Sequence, residues 1–199
     1  MNEEKLIEAA QNGDVHAFNQ LVRKYQRSAY NVAYRILSSS DRASDATQDA
    51  FVSAFRAIDG FRGGSFKAWI MRIVTNACYD ILRRKKRQRE DSLDEMVAEM
   101  PEHSTVLIDE QEEPESFALR QELGATLQKA LAILPDEQRI SIVLADVEGY
   151  SYQEIADVTG VALGTVKSRI SRGRTALRDY LLTQRELLPA QYRLSNEPT

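Results

Sequence analysis

The chain has 199 residues, with 26 lysines and arginines against 30 aspartates and glutamates, a formal net charge of −4. Hydrophobic residues make up 43% of it, enough for real cores, while a mean hydropathy of −0.43 and the lack of a long apolar run exclude a transmembrane helix. The single cysteine, Cys78, permits no intramolecular disulfide and fits a reducing cytoplasm.

The acidic, helical start MNEEKLIEAAQNGD does not read as a signal peptide. A first helix is expected over Glu3 to Gln11, stopped by Asn12-Gly13, with Asp14 as N-cap of the next. That second helix carries Phe18, Leu21, Val22, Tyr25, Ala29, Val32, Ala33 and Ile36 at spacings of three and four. Ser38-Ser39-Ser40-Asp41 is expected to break it. The third helix points Ala50, Phe51, Ala54, Phe55 and Ile58 inward and leaves Asp45, Gln48, Asp49 and Arg56 outside. A Gly-rich loop, Asp59 to Gly64, follows. Ser65 then reads as N-cap of a long helix whose inner face uses Trp69, Ile70, Ile73, Val74, Ala77 and Ile81. Four helices with short connections predict a compact bundle over residues 1–89.

Residues 90–117 are acidic, contain Pro101 and Pro114, and are poor in aromatics, which predicts a flexible linker. A solvent-facing helical turn or two around Leu93 to Met100 is the competing reading. A second helical domain is expected over 118–185, and residues 186–199 form a tail without a strong pattern. Its first helix holds Leu123, Leu127, Ala130, Leu131 and Ile133 and ends at Leu134-Pro135, and the next spans Asp136 to Val147. Ser151 and Glu154 have the S-x-x-E spacing of a capping box, in which each side chain satisfies a backbone donor of the other residue. Thr159-Gly160 closes that short helix. The last helix places Val166, Ile170, Leu177 and Leu181 on one stripe and Lys167, Ser168, Ser171 and Arg172 near the opposite side. A basic amphipathic helix alone is usually a solvated surface. Here the capping box, Gly turn, apolar stripe and basic face coincide in one short segment, and together they read as a DNA-binding helix-turn-helix.

Charge is segregated along the chain. From Arg62 to Arg89 nine basic residues accompany one acid, Asp80, whereas from Glu90 to Glu122 twelve acids accompany Arg120 alone. A global pI of 5.4 therefore says little about nucleic-acid affinity, because fields decay over a Debye length of about 10 Å and local charge decides. Two histidines, His16 and His103, with Cys78 make no metal-ligand cluster. Neither a phosphate-binding loop nor a nucleophile–base pair is recognisable, so neither a catalytic residue nor a cofactor is expected. Cys78 lies in an apolar helix and reads as core.

Four segments in order carry a family resemblance: DATQDAF (45–51), FRGGSFKAWIMRIVTNACYD (61–80), LPDEQR (134–139) and GYSYQEIA…GTVKSRISRGR (149–174). From about Leu6 to Leu182 the chain resembles an extracytoplasmic-function (group IV) sigma factor of bacterial RNA polymerase. The resemblance implies an all-α fold of two helical domains, sigma-2-like and sigma-4-like, joined by a linker. It implies a non-enzymatic, cytoplasmic protein that binds core polymerase and promoter DNA, nucleates strand opening and is held by an anti-sigma factor.

The resemblance also assigns residues. Asp45, Gln48 and Asp49, at i, i+3 and i+4 on one helix face, would dock on core polymerase. Phe61, Arg62, Lys67, Asn76, Arg83 and Arg84 would contact the minus-ten element, where melting needs capture of an unstacked base and cationic backbone contacts. The run RRKKR (83–87) would grip phosphate without sequence preference. Trp69 invites stacking, but its spacing with Ile70 and Ile73 favours core. Lys167, Ser168, Ser171 and Arg172 would read the minus-thirty-five element, with Thr165 on phosphate, and Arg169 and Arg174 serve either intradomain pairs or phosphates. The loop before Trp69 is one residue shorter than in many relatives, which leaves the captured base open. Ala162 stands where a capping Ser is common, a loss of about 1 kcal/mol. Gly173 replaces a frequent Ala, again about 1 kcal/mol in helix propensity. The competing reading is a stand-alone helix-turn-helix regulator or signalling adaptor that never joins polymerase; it leaves DATQDAF and the Gly-rich loop without a purpose.

Overall fold

A computed structural model describes residues 2–91 and 114–183. In the first part α1 (Glu3–Gln11), α2 (Val15–Leu37), α3 (Ser40–Ala57) and α4 (Phe66–Asp91) follow in order, with one 3-10 turn at Ile58–Gly60. In the second, α5 (Pro114–Ala132) and α6 (Asp136–Ile142) lead through a π turn at Val143–Val147 to α7 (Tyr152–Thr159) and α8 (Leu163–Thr183). All regular structure among the described residues is helical, and the two sets of helices belong to two compact units.

Local chemistry sets the helix ends of the first unit. Asn2 accepts a hydrogen bond from the Glu4 amide, and the Asp14 carboxylate accepts from the amides of His16 (2.8 Å) and Ala17 (3.1 Å). The break after α2 is narrower than expected. Ser38 alone adopts the left-handed conformation (φ 54°), its amide bonds back to the Tyr34 carbonyl, and α3 already includes Ser40 and Asp41. An aspartate in the first turn suits the positive end of the helix dipole, which is why Asp41 extends α3 rather than ending α2. Ser65 caps α4 as expected, its Oγ accepting from the Ala68 amide at 3.2 Å.

The core of this unit forms where α2 meets α1, α3 and α4. Ala43, Ala46, Ala50 and Ala54 are all 0% exposed. Small side chains on that stripe let the α3 backbone approach its neighbours closely, with Leu21, Val32 and Ile36 of α2 and Phe66, Ile70, Met71 and Val74 of α4 filling the space around it. The buried seam of α4 is Phe66, Ile70, Met71, Val74, Cys78 and Leu82; Trp69, Ile73, Ala77 and Ile81 sit half-buried at its edge. The expected inner face was thus rotated by part of a turn. Phe55 is also not inward: it stays exposed, its ring edge-on to Phe18 with centroids 5.0 Å apart, because the alanine stripe occupies the seam. Burial pushes the Cys78 thiol up to about 12, as befits a core residue.

In the second unit α8 packs against α6, α7 and the end of α5. Leu127 of α5 and Ile133 just after it are exposed, and the buried residues are Thr126, Gln128, Ala130 and Leu131 of α5 with Leu134 after it. The leucine spacing alone did not reveal this, since Ala130 and Leu131 are buried while Leu127 is not. Arg139, from LPDEQR, is buried; it donates to the Ala132 carbonyl at 3.4 Å and pairs with Asp136, so it closes the end of α5. Burial lowers its pKa, and Asp136 partly opposes that. The helix expected over Asp136 to Val147 changes winding at Val143, where the Glu148 amide reaches the Val143 carbonyl five residues back.

The boundaries shift accordingly. Of the linker expected at 90–117, Glu90 and Asp91 complete α4, and Pro114 to Phe117 begin α5. Proline at a first helical position loses no hydrogen bond and brings a helical φ. Residues 92–113, including the reading of Leu93 to Met100 as helix, and the tail at 186–199 lie outside the described residues. Among the described residues no helix is long and apolar enough to cross a membrane, and no cluster of three His, Cys, Asp or Glu could hold a metal.

Candidate nucleic-acid and polymerase-binding faces

Three faces emerge once the cores are assigned. On α3, Asp45, Gln48 and Asp49 are exposed, on the side away from the buried alanines. A 3.6-residue repeat brings i, i+3 and i+4 into one patch, so two carboxylates and an amide form a single acidic, hydrogen-bonding surface.

The second face combines the Gly-rich loop with α4. Gly63 (φ 97°) and Gly64 (φ 86°) adopt backbone conformations that L side chains rarely take, which explains the paired glycines. Arg62, Gly63, Gly64 and Ser65 are exposed, and Arg62 Nη1 donates to the Asp59 carbonyl at 3.1 Å. Phe61 does not belong to this surface. Its side chain is buried, with its ring centroid 5.6 Å from that of Phe66 and 5.5 Å from that of Trp69. The Phe61 ring, expected at the minus-ten element, is packed against Phe66 and Trp69 where it anchors the start of the loop. An aromatic beside glycines looks exposed in sequence; Phe66 and Trp69, one helical turn on, bury it.

Lys67, Asn76, Arg83 and Arg84 are all exposed on α4. Arg72 and Tyr79, which the sequence reading did not single out for DNA contact, extend the same face. Arg72, Asn76, Arg83 and Arg87 are exposed at intervals of four, seven and four, and that spacing is the signal that could have found Arg72. Tyr79 is half-buried with the Arg83 guanidinium 5.9 Å from its ring centroid, a contact that orients the cation along the helix.

The third face lies on α8. The capping box at the start of α7 is present in full: the Ser151 Oγ accepts from the Glu154 amide at 3.3 Å, and the Glu154 carboxylate accepts from the Ser151 amide at 2.8 Å. The Ser151 hydroxyl and amide hold the Glu154 carboxyl below its ordinary range. Gly160 (φ 67°) ends α7 and turns the chain into α8. Val166, Ile170 and Gly173 are buried, whereas Leu177 and Leu181 are only half-buried, so the apolar seam passes through the glycine. Lys167, Ser171 and Arg172 are exposed on the opposite side, and Thr165 and Ser168 are half-buried beside them. Ser168 Oγ donates to the Thr165 carbonyl at 2.9 Å, which leaves that hydroxyl to act toward a base edge as an acceptor.

Two further arginines of α8 meet carboxylates of the same unit. Arg174 donates to both carboxylate oxygens of Asp146, at 3.1 and 2.6 Å, and Asp146 raises its pKa further. Arg169 lies 4.0 Å from Glu137. Both arginines thus have a carboxylate neighbour within the unit. Ala162 is the N-cap of α8: its carbonyl accepts from the amides of Thr165 (2.8 Å) and Val166 (3.1 Å), with no side-chain oxygen to add.

Residues 21–88 match the family model described as Sigma-70 region 2, and residues 125–177 match Sigma-70, region 4. The ECF RNA polymerase sigma factor SigE of Mycolicibacterium smegmatis is 42% identical over 165 residues, covering 83% of this chain and 62% of that relative. The ECF RNA polymerase sigma-E factor of Escherichia coli is 37% identical over 179 residues, covering 89% of this chain and 93% of the relative. Among solved structures, the sigma factor RpoE in complex with the anti-sigma factor NepR from Bartonella quintana aligns with a TM-score of 0.64 at 29% identity, covering 84% of this chain and 98% of that one.

Proposed function

The chain belongs to the extracytoplasmic-function sigma factors, and from that premise we propose that it binds core RNA polymerase, directs it to specific promoters and nucleates strand opening. One observation supports this reading above the others. The chain carries both sigma regions in order, and each lies on a unit with an exposed face suited to its task. A stand-alone regulator needs only the α8 face and leaves the α3 patch and the Gly-rich loop unused.

The chemistry divides among the faces. Asp45, Gln48 and Asp49 offer acceptors and an amide to a basic surface of core polymerase. Arg62 and the two glycines form a loop whose backbone can approach a base closely, and Asn76 can donate to and accept from a base edge. Lys67, Arg72, Arg83 and Arg84 draw in the phosphates and make binding salt-dependent. On α8, Lys167 and Arg172 reach toward the minus-thirty-five element from the N-terminal half of the helix, the part of a recognition helix that meets base edges. Thr165, Ser168 and Ser171 supply smaller polar contacts. Two modest surfaces on one chain gain strength by effective concentration once both engage the same assembly.

The protein works where the polymerase is, in the cytoplasm, and catalyses nothing itself. Control by an anti-sigma factor follows from the same premise, and its structural relative was solved bound to one. The test is run-off transcription with purified core polymerase and a DNA pool randomised across both promoter elements. Selected sequences and discrete transcripts are expected; no core binding and no selected transcript would overturn the reading.

A further inference from the structure

Gln11 is the last residue of α1, outside the part of the chain matched by the region 2 family model. Its Nε2 donates to two carbonyls some fifty positions away, that of Ile58 at 3.1 Å and that of Phe61 at 2.9 Å. These oxygens mark the two ends of the 3-10 turn that leads into the Gly-rich loop, and the Phe61 amide closes that turn on Ile58 at 3.0 Å. We infer that Gln11 is a positioning residue for promoter opening: its amide sets the angle at which the Arg62–Gly64 loop leaves the bundle. The inference rests on the reading of that loop as the element that captures a minus-ten base.

The argument is geometric. The Phe61 carbonyl belongs to the same planar peptide as the Arg62 amide, so a hydrogen bond to it fixes the direction of the next residue. Beyond it, Gly63 and Gly64 have no side chains to restrict their dihedrals, and nothing within 4 Å would meet a Cβ at either. Apart from the Arg62 side chain, which donates to the Asp59 carbonyl, such a loop is aimed from its ends. One end is Ser65, fixed as the cap of α4. The other is Phe61, whose ring is held by Phe66 and Trp69 and whose carbonyl is held by Gln11.

A purely structural role, stapling α1 to the bundle, explains less. Helix α1 is fastened independently. Leu6 and Ala10 are buried, and Glu3 pairs with Lys24 and accepts from the Tyr25 hydroxyl at 2.5 Å, both on α2. The Lys24 and Tyr25 hydrogen bonds hold the Glu3 carboxyl below its ordinary range, so this anchor is charged at neutral pH. With those contacts in place, the additional effect of the Gln11 amide falls on the loop.

The experiment uses full-length protein in holoenzyme with core polymerase and three variants. Gln11→Leu removes the donor at similar volume, and Gln11→Asn keeps an amide that is one methylene too short to span both carbonyls. Ile36→Val trims the core of the same unit at a fully buried position on α2, as a stability comparator. The probe is the DNA pool randomised over the minus-ten element, together with the best selected promoter as intact duplex and pre-melted by mismatch. Both Gln11 variants should retain core binding and flatten the base preference at the minus-ten element. They should slow open-complex formation on duplex roughly tenfold, the effect of losing two ordinary hydrogen bonds. Pre-melted DNA should recover part of the rate but not the base preference, and Ile36→Val should keep the wild-type preference. An unchanged preference in both Gln11 variants, or an equal change in Ile36→Val, would overturn the inference while leaving the sigma reading intact. Failure of wild-type holoenzyme to select any sequence would overturn both.

Discussion

At position 173 the helix-propensity expectation reverses. A Cβ built on Gly173 would lie 2.8 Å from Ile142 Cγ1 and 3.2 Å from Cδ1, and Ile142 is itself buried. Glycine here is the contact surface between α8 and α6, and its missing side chain is what lets Ile142 sit against the α8 backbone. Alanine gains about 1 kcal/mol in propensity but meets an overpacking penalty of about 1–3 kcal/mol. Gly173→Ala should therefore destabilise the second unit by about 1 kcal/mol net, read as a lower urea midpoint; a higher midpoint would mean that Ile142 yields freely. Phe61 makes the same point from the loop side, because the residue that looks most available to a base is the one the aromatic cluster holds.

Among the elements, α8 has one terminus that can be improved. Its N-cap, Ala162, is exposed and supplies only a carbonyl, while α7 begins with a complete capping box. Ala162→Ser should stabilise the start of the reading helix by about 1 kcal/mol, seen as slower amide hydrogen exchange in its first turn. Unchanged exchange would show that the turn is already ordered without a side-chain acceptor. Features of this local kind were legible in the sequence: Asp14, Ser65, Ser151 with Glu154, and Gly160 all act within a few residues of themselves. The exposed patch of Asp45, Gln48 and Asp49 was legible for the same reason, since helical periodicity alone places it. What escaped depends on residues distant in the chain. Gly173 answers to Ile142, Arg174 to Asp146, Gln11 to Phe61, and the exposure of Leu127 and Ile133 to how α5 meets α8. No pattern within α5 or α8 contains those partners.

For the whole molecule, polymerase binding and promoter reading should separate by mutation. Asp49 is exposed and lies outside the buried seam of α3, so Asp49→Arg should keep the thermal melt near wild type while losing core binding in a pull-down or gel-shift assay. Lys167→Ala combined with Arg172→Ala should do the opposite, leaving core binding intact and redistributing transcripts among promoters. Because both removed groups are cations on the proposed DNA-reading face, the salt dependence of promoter binding should also become shallower. Equal loss of both activities in either variant would contradict the division of labour between the units.

Cys78 gives a final consequence. It is the only cysteine in the chain, it is 0% exposed, and it lies in the core of the first unit alone. A thiol reagent can reach it only when that unit opens, so its modification is a clock for one half of the molecule and is blind to the other. Partners that grip the first unit should slow the clock, and those that grip only the second should leave it running. Labelling rates measured with core polymerase, with promoter DNA and with each absent would then show which half a partner steadies, without attaching any probe to a binding face.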